Sequence, residues 1–556
     1  MPWDEQAFDA QLLELAIRRH QAGQLEEAMA NCRQILAHQP QHSAASHLVG
    51  IIARQIGRLD ASIELIRRAA TGNTADPHFH NDLADALRNK KQYDESFAAC
   101  QEALRLKADF PEAYITLGNV LADQGQLDGA IAATREALRL RPDYALAFNN
   151  LGVYLHSKGQ LEESIAAARQ AILLDRGRPE FHNNLGRAVQ DQGQLDEAIA
   201  ARREAIRLKP DYAEAYNDLG NALRDVGQLD ESIAALRRSV QLLPDYALAH
   251  WNLALSLLMQ GDFVQGWREY EWRWRWDGFS SPCRNFSQPL WNGEELNGKT
   301  ILLYAEQGMG DAIQFARYIP LVARRGGRIV VECQPALKQL LSRIPSVQTV
   351  ITEGEPLPPF DVQCPLLSLP LAFRTDWNSI PASVPYLKPD RKQAANWKKR
   401  LAAENPHRRI GLAWAGSSLH KKDRTRSVEL SQLAPLAATP GNSFFSLQTG
   451  EAGKQVPPAN MTLRDFTAEL NDFADTAALL ANLDLVITVD TAIAHLAGAM
   501  GKPVWVLVSS APDWRWLLNR EDSPWYPTMR LFRQTSAGDW ANVMQRVASS
   551  LSETGR

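Results

Sequence analysis

The chain has 556 residues, about 3.7 domain-sized units of roughly 150, so its cores need no disulfide or metal staples and a small stapled scaffold is excluded. Its 60 Lys and Arg against 64 Asp and Glu leave a formal charge of -4, which argues against a basic surface that coats nucleic acid while leaving a local basic site open. The cysteines Cys32, Cys100, Cys283, Cys333 and Cys364 are scattered, odd in number and without CxxC spacing, so no disulfide framework or structural zinc site is expected and the compartment reads as reducing.

The opening stretch MPWDEQAFDAQLLELAIRRH carries acids early and has no basic stretch ahead of an apolar core, and no run of 18 apolar residues follows anywhere. The expectation is a cytoplasmic protein without a signal peptide or transmembrane segment. Beyond this start, Gly23, Gly57, Gly125, Gly159, Gly193, Gly227 and Gly261 fall on one register of 34 residues, interrupted only by Lys91. Pro142, Pro210 and Pro244 form a second series, and Ala28, Ala130 and Ala198 with Ser62, Ser96, Ser164 and Ser232 a third. This periodicity predicts eight copies of a helical hairpin, joined where the register glycine can adopt a positive φ and packed closely where the third series is small. One hairpin cannot bury its own apolar faces, so the copies must stack.

In its period and in Leu151-Gly152, Leu185-Gly186 and Leu219-Gly220 the region resembles the tetratricopeptide repeat family. The resemblance implies an all-α right-handed solenoid whose concave face holds an extended peptide or a partner protein. A polar column is not demanded by packing: Asn150, Asn184 and Asn252 with Asp82 and Asp218 in one register, and Asn149, Asn183 and Asn217 one residue earlier. Amides offer a donor and an acceptor together, so such a ladder suits a peptide backbone; helix capping or solvated surface fits the same residues. The column resembles the Asn ladder of the protein O-linked N-acetylglucosamine transferases, which implies acceptor binding at Asn150, Asn184, Asp218 and Asn252.

After Gly261 a ninth hairpin-like stretch changes character and runs into GWREYEWRWRW. Trp267, Trp272, Trp274 and Trp276 cannot share one helical face; they either cap the solenoid and join it to the next domain or stack on a ligand. The expected domains are residues 1–276 as repeats with this Trp-rich cap, 277–298 as linker, and two α/β halves over 299–390 and 391–556.

From Lys299 short β-branched runs alternate with helices. TILLYAEQ, RIVVEC and VQTVI read as strands, with GDAIQFARYIPLVARRG and PALKQLLSRI as helices. A second set begins near Arg409 with the strands RIGLAWAG, SFFSLQ, LVITV, PVWVLV and TMRLFRQ. Two such parallel-sheet domains in series predict a ligand cleft between them, and a nucleotide ligand, because strand-to-helix turns aim backbone N–H groups at one mouth. In YAEQGMGDAIQF, Gly308 and Gly310 allow close approach and Asp311 sits in the first helical turn, as a cap or a catalytic residue. In the second half Thr488, Asp490 and Thr491 end a strand and open a helix, and His495 lies four residues further on, a diphosphate site or a cap with a packed His.

Residues 300 to 550 resemble the two-domain GT-B glycosyltransferases related to the ADP-heptose:lipopolysaccharide heptosyltransferases, as fused to tetratricopeptide repeats in bacterial protein-glycosylation enzymes that include flagellin glycosyltransferases. Gly308-Met309-Gly310-Asp311 is similar to that family's first loop, which implies Asp311 as base and 299–390 as the acceptor side. Asp490-Thr491-Ala492 with His495 is similar to its donor-phosphate motif, placing the donor on 391–556, although Ala492 stands where Gly is frequent, which weighs against heptose. Gly501-Lys502-Pro503 resembles the following turn. Inversion at the sugar carbon is implied by the same resemblance.

Further donor contacts are expected from Trp414, Gly416 and Ser417 at a strand end, from His420, Lys421, Lys422, Arg424 and Arg426 in HKKDRTRS, from Gln448, and from Ser509, Asp513 and Trp514. No DxD-type motif stands in the predicted donor cleft, so a metal-independent transferase without a cofactor is expected, its nucleotide sugar being a substrate. The expected partners are an acceptor protein, flagellin or another surface protein, and no nucleic acid; assembly through the repeats stays open. The alternatives are a repeat scaffold with a degenerate transferase half, and transfer to lipid or polysaccharide. Sugar, nucleotide and acceptor are not specified by these residues.

Overall fold

The structure, a computed structural model, describes residues 5–402, 407–417 and 423–554. It divides into two compact units, Met1–Ala215 and Tyr216–Arg556.

The first unit is a run of helical hairpins: Glu5–Gln21 with Leu25–His38, Ser43–Gln55 with Leu59–Gly72, Pro77–Asn89 with Tyr93–Leu106, Pro111–Asp123 with Leu127–Leu140, Ala145–Ser157 with Leu161–Leu174, and Pro179–Asp191 with Leu195–Leu208. The register glycines turn each corner with φ between 75 and 92°, and Lys91 holds the same turn at φ 62°. A left-handed conformation costs a non-glycine residue roughly 1–2 kcal/mol, so the hairpin imposes the turn even where the sequence breaks its pattern. The Leu-Gly glycines have another task. A Cβ at Gly152 would lie 3.2 Å from the Ser164 carbonyl, so glycine lets the paired helices touch, and Ser164 Oγ donates 2.7 Å to the Gly152 carbonyl across that contact.

The second unit continues with Leu229–Leu242, then Ala247–Gln260 with Phe263–Tyr270. The helix Ala213–Asp225 runs across the division at residue 215. The ninth hairpin-like stretch expected after Gly261 is thus the shortened second helix of the eighth hairpin, followed by a 3-10 turn, Glu271–Arg275. Its tryptophans separate by environment. Trp267 is 2 % exposed and meets Phe315, Trp514 and Trp525 edge to face, whereas Trp272 stacks on His250 at 3.7 Å. Trp291 donates its backbone N–H 2.8 Å to the Gln363 carbonyl, fastening the connecting segment to the first sheet.

Two wholly parallel sheets follow. The first joins β1 (Thr300–Tyr304), β2 (Arg328–Cys333), β3 (Val347–Thr352) and β4 (Val362–Pro365) in the order β3-β2-β1-β4. The second joins β5 (Arg408–Ala413), β6 (Asn442–Ser446), β7 (Leu463–Asp465), β8 (Leu485–Val489), β9 (Val504–Val508) and β10 (Met529–Arg533) in the order β10-β9-β8-β5-β6-β7. β8 and β9 are buried at every position, as sheets covered on both faces require. No helix among the described residues is long and apolar enough to cross a membrane.

Candidate functional site

In an open parallel sheet, ligands bind beyond the carboxyl ends of the strands where the order reverses. In the first sheet that point lies at β1 and β4, and β1 leads directly into the Gly308 turn. In the second it lies between β5 and β8, which lead into Trp414-Ala415-Gly416 and Asp490-Thr491. The helices after β1 and β8, Met309–Phe315 and Ala492–Ala499, pack on each other. A Cβ on Gly310 would come 3.0 Å from His495 and 3.4 Å from the Ala492 Cα, so the room at Gly310 is taken by this helix contact. The ends of β1 and β8 are thereby brought close together.

Asp311 stands at the junction. Its Oδ2 accepts the Gly308 N–H at 2.8 Å, which fixes the turn, and its Oδ1 pairs with Arg515 from the second half. Arg515 also donates to Asp513 at 2.8 Å and to Gln314 Oε1 at 2.6 Å, so one guanidinium gathers an acid from each half and an amide between them. Its side chain is 8 % exposed, that of Asp311 18 % and that of Asp513 37 %. Burial pushes Asp513 up, but the charge and hydrogen bonds of Arg515 outweigh it and hold the carboxyl below its ordinary value. Asp490 goes the other way: poor solvation and the neighbouring Asp513 charge push it up to about 6, against the pull of Arg426.

Thr491 begins the helix Ala492–Ala499 in extended conformation, and its hydroxyl lies 3.1 Å from that of Thr488. His495 is buried between Trp516, stacked at 5.4 Å, and Tyr526, whose hydroxyl is 3.0 Å from Nδ1. Burial, reinforced by Arg515 and Arg317, lowers its pKa to about 3, so it is neutral at physiological pH and offers hydrogen bonding, not charge.

At the β5 end, Gln448 Oε1 accepts the N–H groups of Trp414 and Ala415 at 2.9 and 2.8 Å; both Gln448 and Trp414 are buried. Gln448 thus shapes the strand end. Gly416 donates its N–H to Ser427 Oγ at 2.9 Å and lies under the Arg426 side chain, which pairs with Asp423 at 3.5 Å, while Ser417 is exposed. Trp514 is 2 % exposed, with Trp267 and Trp525 against its ring, and Ser509 donates to the Ala511 carbonyl at 3.2 Å. His420, Lys421 and Lys422 lie outside the described residues, as does the Arg424 side chain.

The polar column occupies a different place, on the repeat helices, and its members bond one another. Asn150 donates to Asn119 at 3.1 Å and Asn184 to Asn149 at 2.9 Å, linking neighbouring repeats in the first unit. In the second unit Asn252 donates to Asn217 at 2.9 Å, and Asn217 donates to Asp218 at 3.1 Å. Asn252 is 7 % exposed, while Asn150 and Asn184 are more open. Inter-repeat clasping is therefore part of the column's role.

Sequence reasoning passed over Arg515, Gln314 and Arg317. Arg317 is 3 % exposed and donates to the Trp525 carbonyl at 2.7 Å and to Tyr386 Oη at 3.2 Å, fastening the two halves. The signal available for Arg515 was its position between two tryptophans two residues after Asp513.

Comparison with known proteins follows this division. Tetratricopeptide repeat models match residues 13–78, 77–110 and 145–178, and a TPR repeat model matches 118–157, 186–227 and 220–261. The model of glycosyltransferase family 9 (heptosyltransferase) matches 466–516, the stretch with Asp490, Thr491, His495, Asp513 and Arg515. Protein FlbA of Caulobacter vibrioides is 30 % identical over 325 residues, 54 % of this chain and 54 % of that protein. The chain thus spans about half the length of the curated relative it matches. Among solved structures, the Cut9-Hcn1 hetero-tetramer of the APC/C is 20 % identical over 47 % of this chain and 52 % of that one, with a TM-score of 0.40. A thermophilic TPR protein of Thermus thermophilus is 22 % identical over 33 % of this chain and 98 % of its own, with a TM-score of 0.31. The protein is a multidomain chain of tetratricopeptide repeats followed by parallel α/β sheets. Beyond those repeats, the stretch 466–516 is similar to glycosyltransferase family 9 (heptosyltransferase).

Proposed function

We propose that this chain transfers a sugar from a nucleotide-sugar donor to a hydroxyl of a protein acceptor, a Ser or Thr side chain, brought by the repeats. The observation that carries the reading is the meeting of Asp311 from the first half with the family 9-like segment of the second through Arg515. In this reading the donor's phosphates lie at the start of the helix Ala492–Ala499, where backbone N–H groups of the first turn and the Thr491 hydroxyl favour an anion, with Arg426 nearby for the charge that grows on the leaving group. Neutral His495 adds hydrogen bonding. Asp311 takes the proton of the acceptor hydroxyl as its oxygen bonds the sugar carbon, and the bond from that carbon to the phosphate oxygen breaks on the opposite face, leaving the electron pair on the nucleotide. One displacement inverts the carbon.

The acceptor is proposed to be flagellin or another surface protein, modified in the cytosol, with the open members of the polar column, Asn150 and Asn184, holding its backbone. The test is intact-protein mass spectrometry of candidate acceptors co-expressed with the wild-type chain or with Asp311→Asn. A sugar-sized mass gain with wild type alone supports the proposal, and its persistence in EDTA supports the metal-independent form. No gain on any candidate moves the acceptor to lipid or polysaccharide, or makes the chain a scaffold.

A further inference from the structure

The turn that carries Asp311 is entered through two residues under unusual constraint. Gln307 has φ 61°, a left-handed conformation that an unaided glutamine avoids. It is held on three sides: its backbone N–H donates to Ser281 Oγ at 2.8 Å, its carbonyl accepts from Gln334 Nε2 at 3.3 Å, and its side-chain amide donates to Tyr270 Oη at 3.2 Å. Glu306, 2 % exposed, accepts both arms of the Arg273 guanidinium at 2.9 and 2.8 Å and the N–H of Leu367 at 3.2 Å. Arg273 is fully buried and reaches Ser368 Oγ at 2.8 Å and Glu271 at 2.7 Å, so it ties the exits of β1 and β4 together.

Tyr270 and Arg273 belong to the segment that closes the eighth hairpin. Trp251 of the last full repeat helix packs on Tyr270 at 4.7 Å. A segment serving only to join domains would be satisfied by apolar contacts such as those of Trp267. A buried ion pair adds little net stability over apolar residues of the same volume, because desolvating two charges offsets most of their attraction. What this pair does supply is direction: the bidentate geometry fixes Glu306, and Tyr270 fixes Gln307, immediately before the Gly308–Asp311 capping turn.

We propose that Tyr270 and Arg273 are positioning residues for the turn that bears Asp311, so that the end of the repeat array completes the geometry of the transferase loop. The inference rests on the reading of Asp311 as the base.

The test is hydrogen exchange with mass spectrometry on the full chain, comparing wild type, Tyr270→Phe and Arg273→Lys over residues 305–315, with β9 and β10 as internal reference. Turnover and donor KM are measured on the same samples. Tyr270→Phe, which keeps the ring, is expected to melt like wild type, to exchange about tenfold faster in the turn alone, and to lose tenfold or more in kcat with donor KM within twofold. Arg273→Lys keeps the charge without the fork and is expected to show a larger change of the same kind. Wild-type exchange in the turn of Tyr270→Phe overturns the proposal, as does faster exchange spread equally over β9 and β10, which marks a structural role only. If Arg273→Lys does not fold, Tyr270→Phe decides. A wild-type chain that transfers no sugar refutes the transferase reading, while the exchange pattern still judges the positioning.

Discussion

Replacing Arg515 by methionine keeps most of the side-chain volume and removes one charge that serves three acceptors. Asp311 and Asp513 then face each other's field without a cation between them, and the buried Gln314 Oε1 loses its 2.6 Å donor. Removing one partner from a buried ion pair costs about 3–5 kcal/mol; with Asp513 37 % exposed and screened by water, the lower end, about 3 kcal/mol, is the expected loss. In a unit of this size that corresponds to a fall of about 5 °C in its melting temperature. The loss depends on pH with a definite sign. Arg515 holds the Asp513 carboxyl below its ordinary value despite burial, so this part of the stability is fully present above the unfolded pKa, about 3.9, and disappears as pH falls through the folded value. Calorimetry of the full chain at pH 7.5 and 3.5 should therefore show a wide gap between wild type and Arg515→Met at the higher pH and a narrower one at the lower. An absent gap at pH 7.5, or equal gaps at both, refutes the reasoning.

Asp490→Asn should stabilise the fold at pH 7.5, by at most about 2–3 kcal/mol, because the folded carboxyl is pushed up to about 6 and ionising it works against folding. As pH falls from 6 toward 4 the folded wild type takes up its proton first and the advantage closes, which a melting series across that range would reveal. Asn252→Ala removes the donor to the buried Asn217 Oδ1, while Arg224 keeps the backbone carbonyl of residue 252, and should cost about 1–2 kcal/mol, measured by thermal unfolding. Asn150→Ala, at a more open site, should cost about 1 kcal/mol or less, with its larger effect on acceptor KM; unchanged acceptor kinetics and binding in the Asn150→Ala, Asn184→Ala pair would count against the peptide-gripping role.

The repeat array was legible because its physics is periodic. A positive φ every 34 residues selects glycine, and close helix contact selects the Leu-Gly pair. Lys91 shows the limit of such reading: the turn persists without its glycine. The α/β halves were legible from buried β-branched runs such as LVITV and PVWVLV. β4 and β7 escaped because a strand of four residues containing Pro365, or of three at a sheet edge, carries too little alternation to register. At the candidate site, the strand-end turns with Asp311 and Asp490-Thr491 stood out because glycine, acid and hydroxyl at a strand-to-helix junction form a local pattern. Arg515, Arg317 and Arg273 did not. Each is a buried arginine with at least one partner 33 to 208 residues away, a contact that no local pattern announces.

The central claim is that the carboxylate of Asp311 acts on the acceptor while the second half holds the donor. The most direct measurement is the transfer rate of Asp311→Asn beside its donor affinity by titration calorimetry. The account predicts a rate lower by about 10³-fold or more with donor Kd within threefold of wild type. A variant that turns over like wild type, or one that loses its rate only because it no longer binds donor, would contradict it.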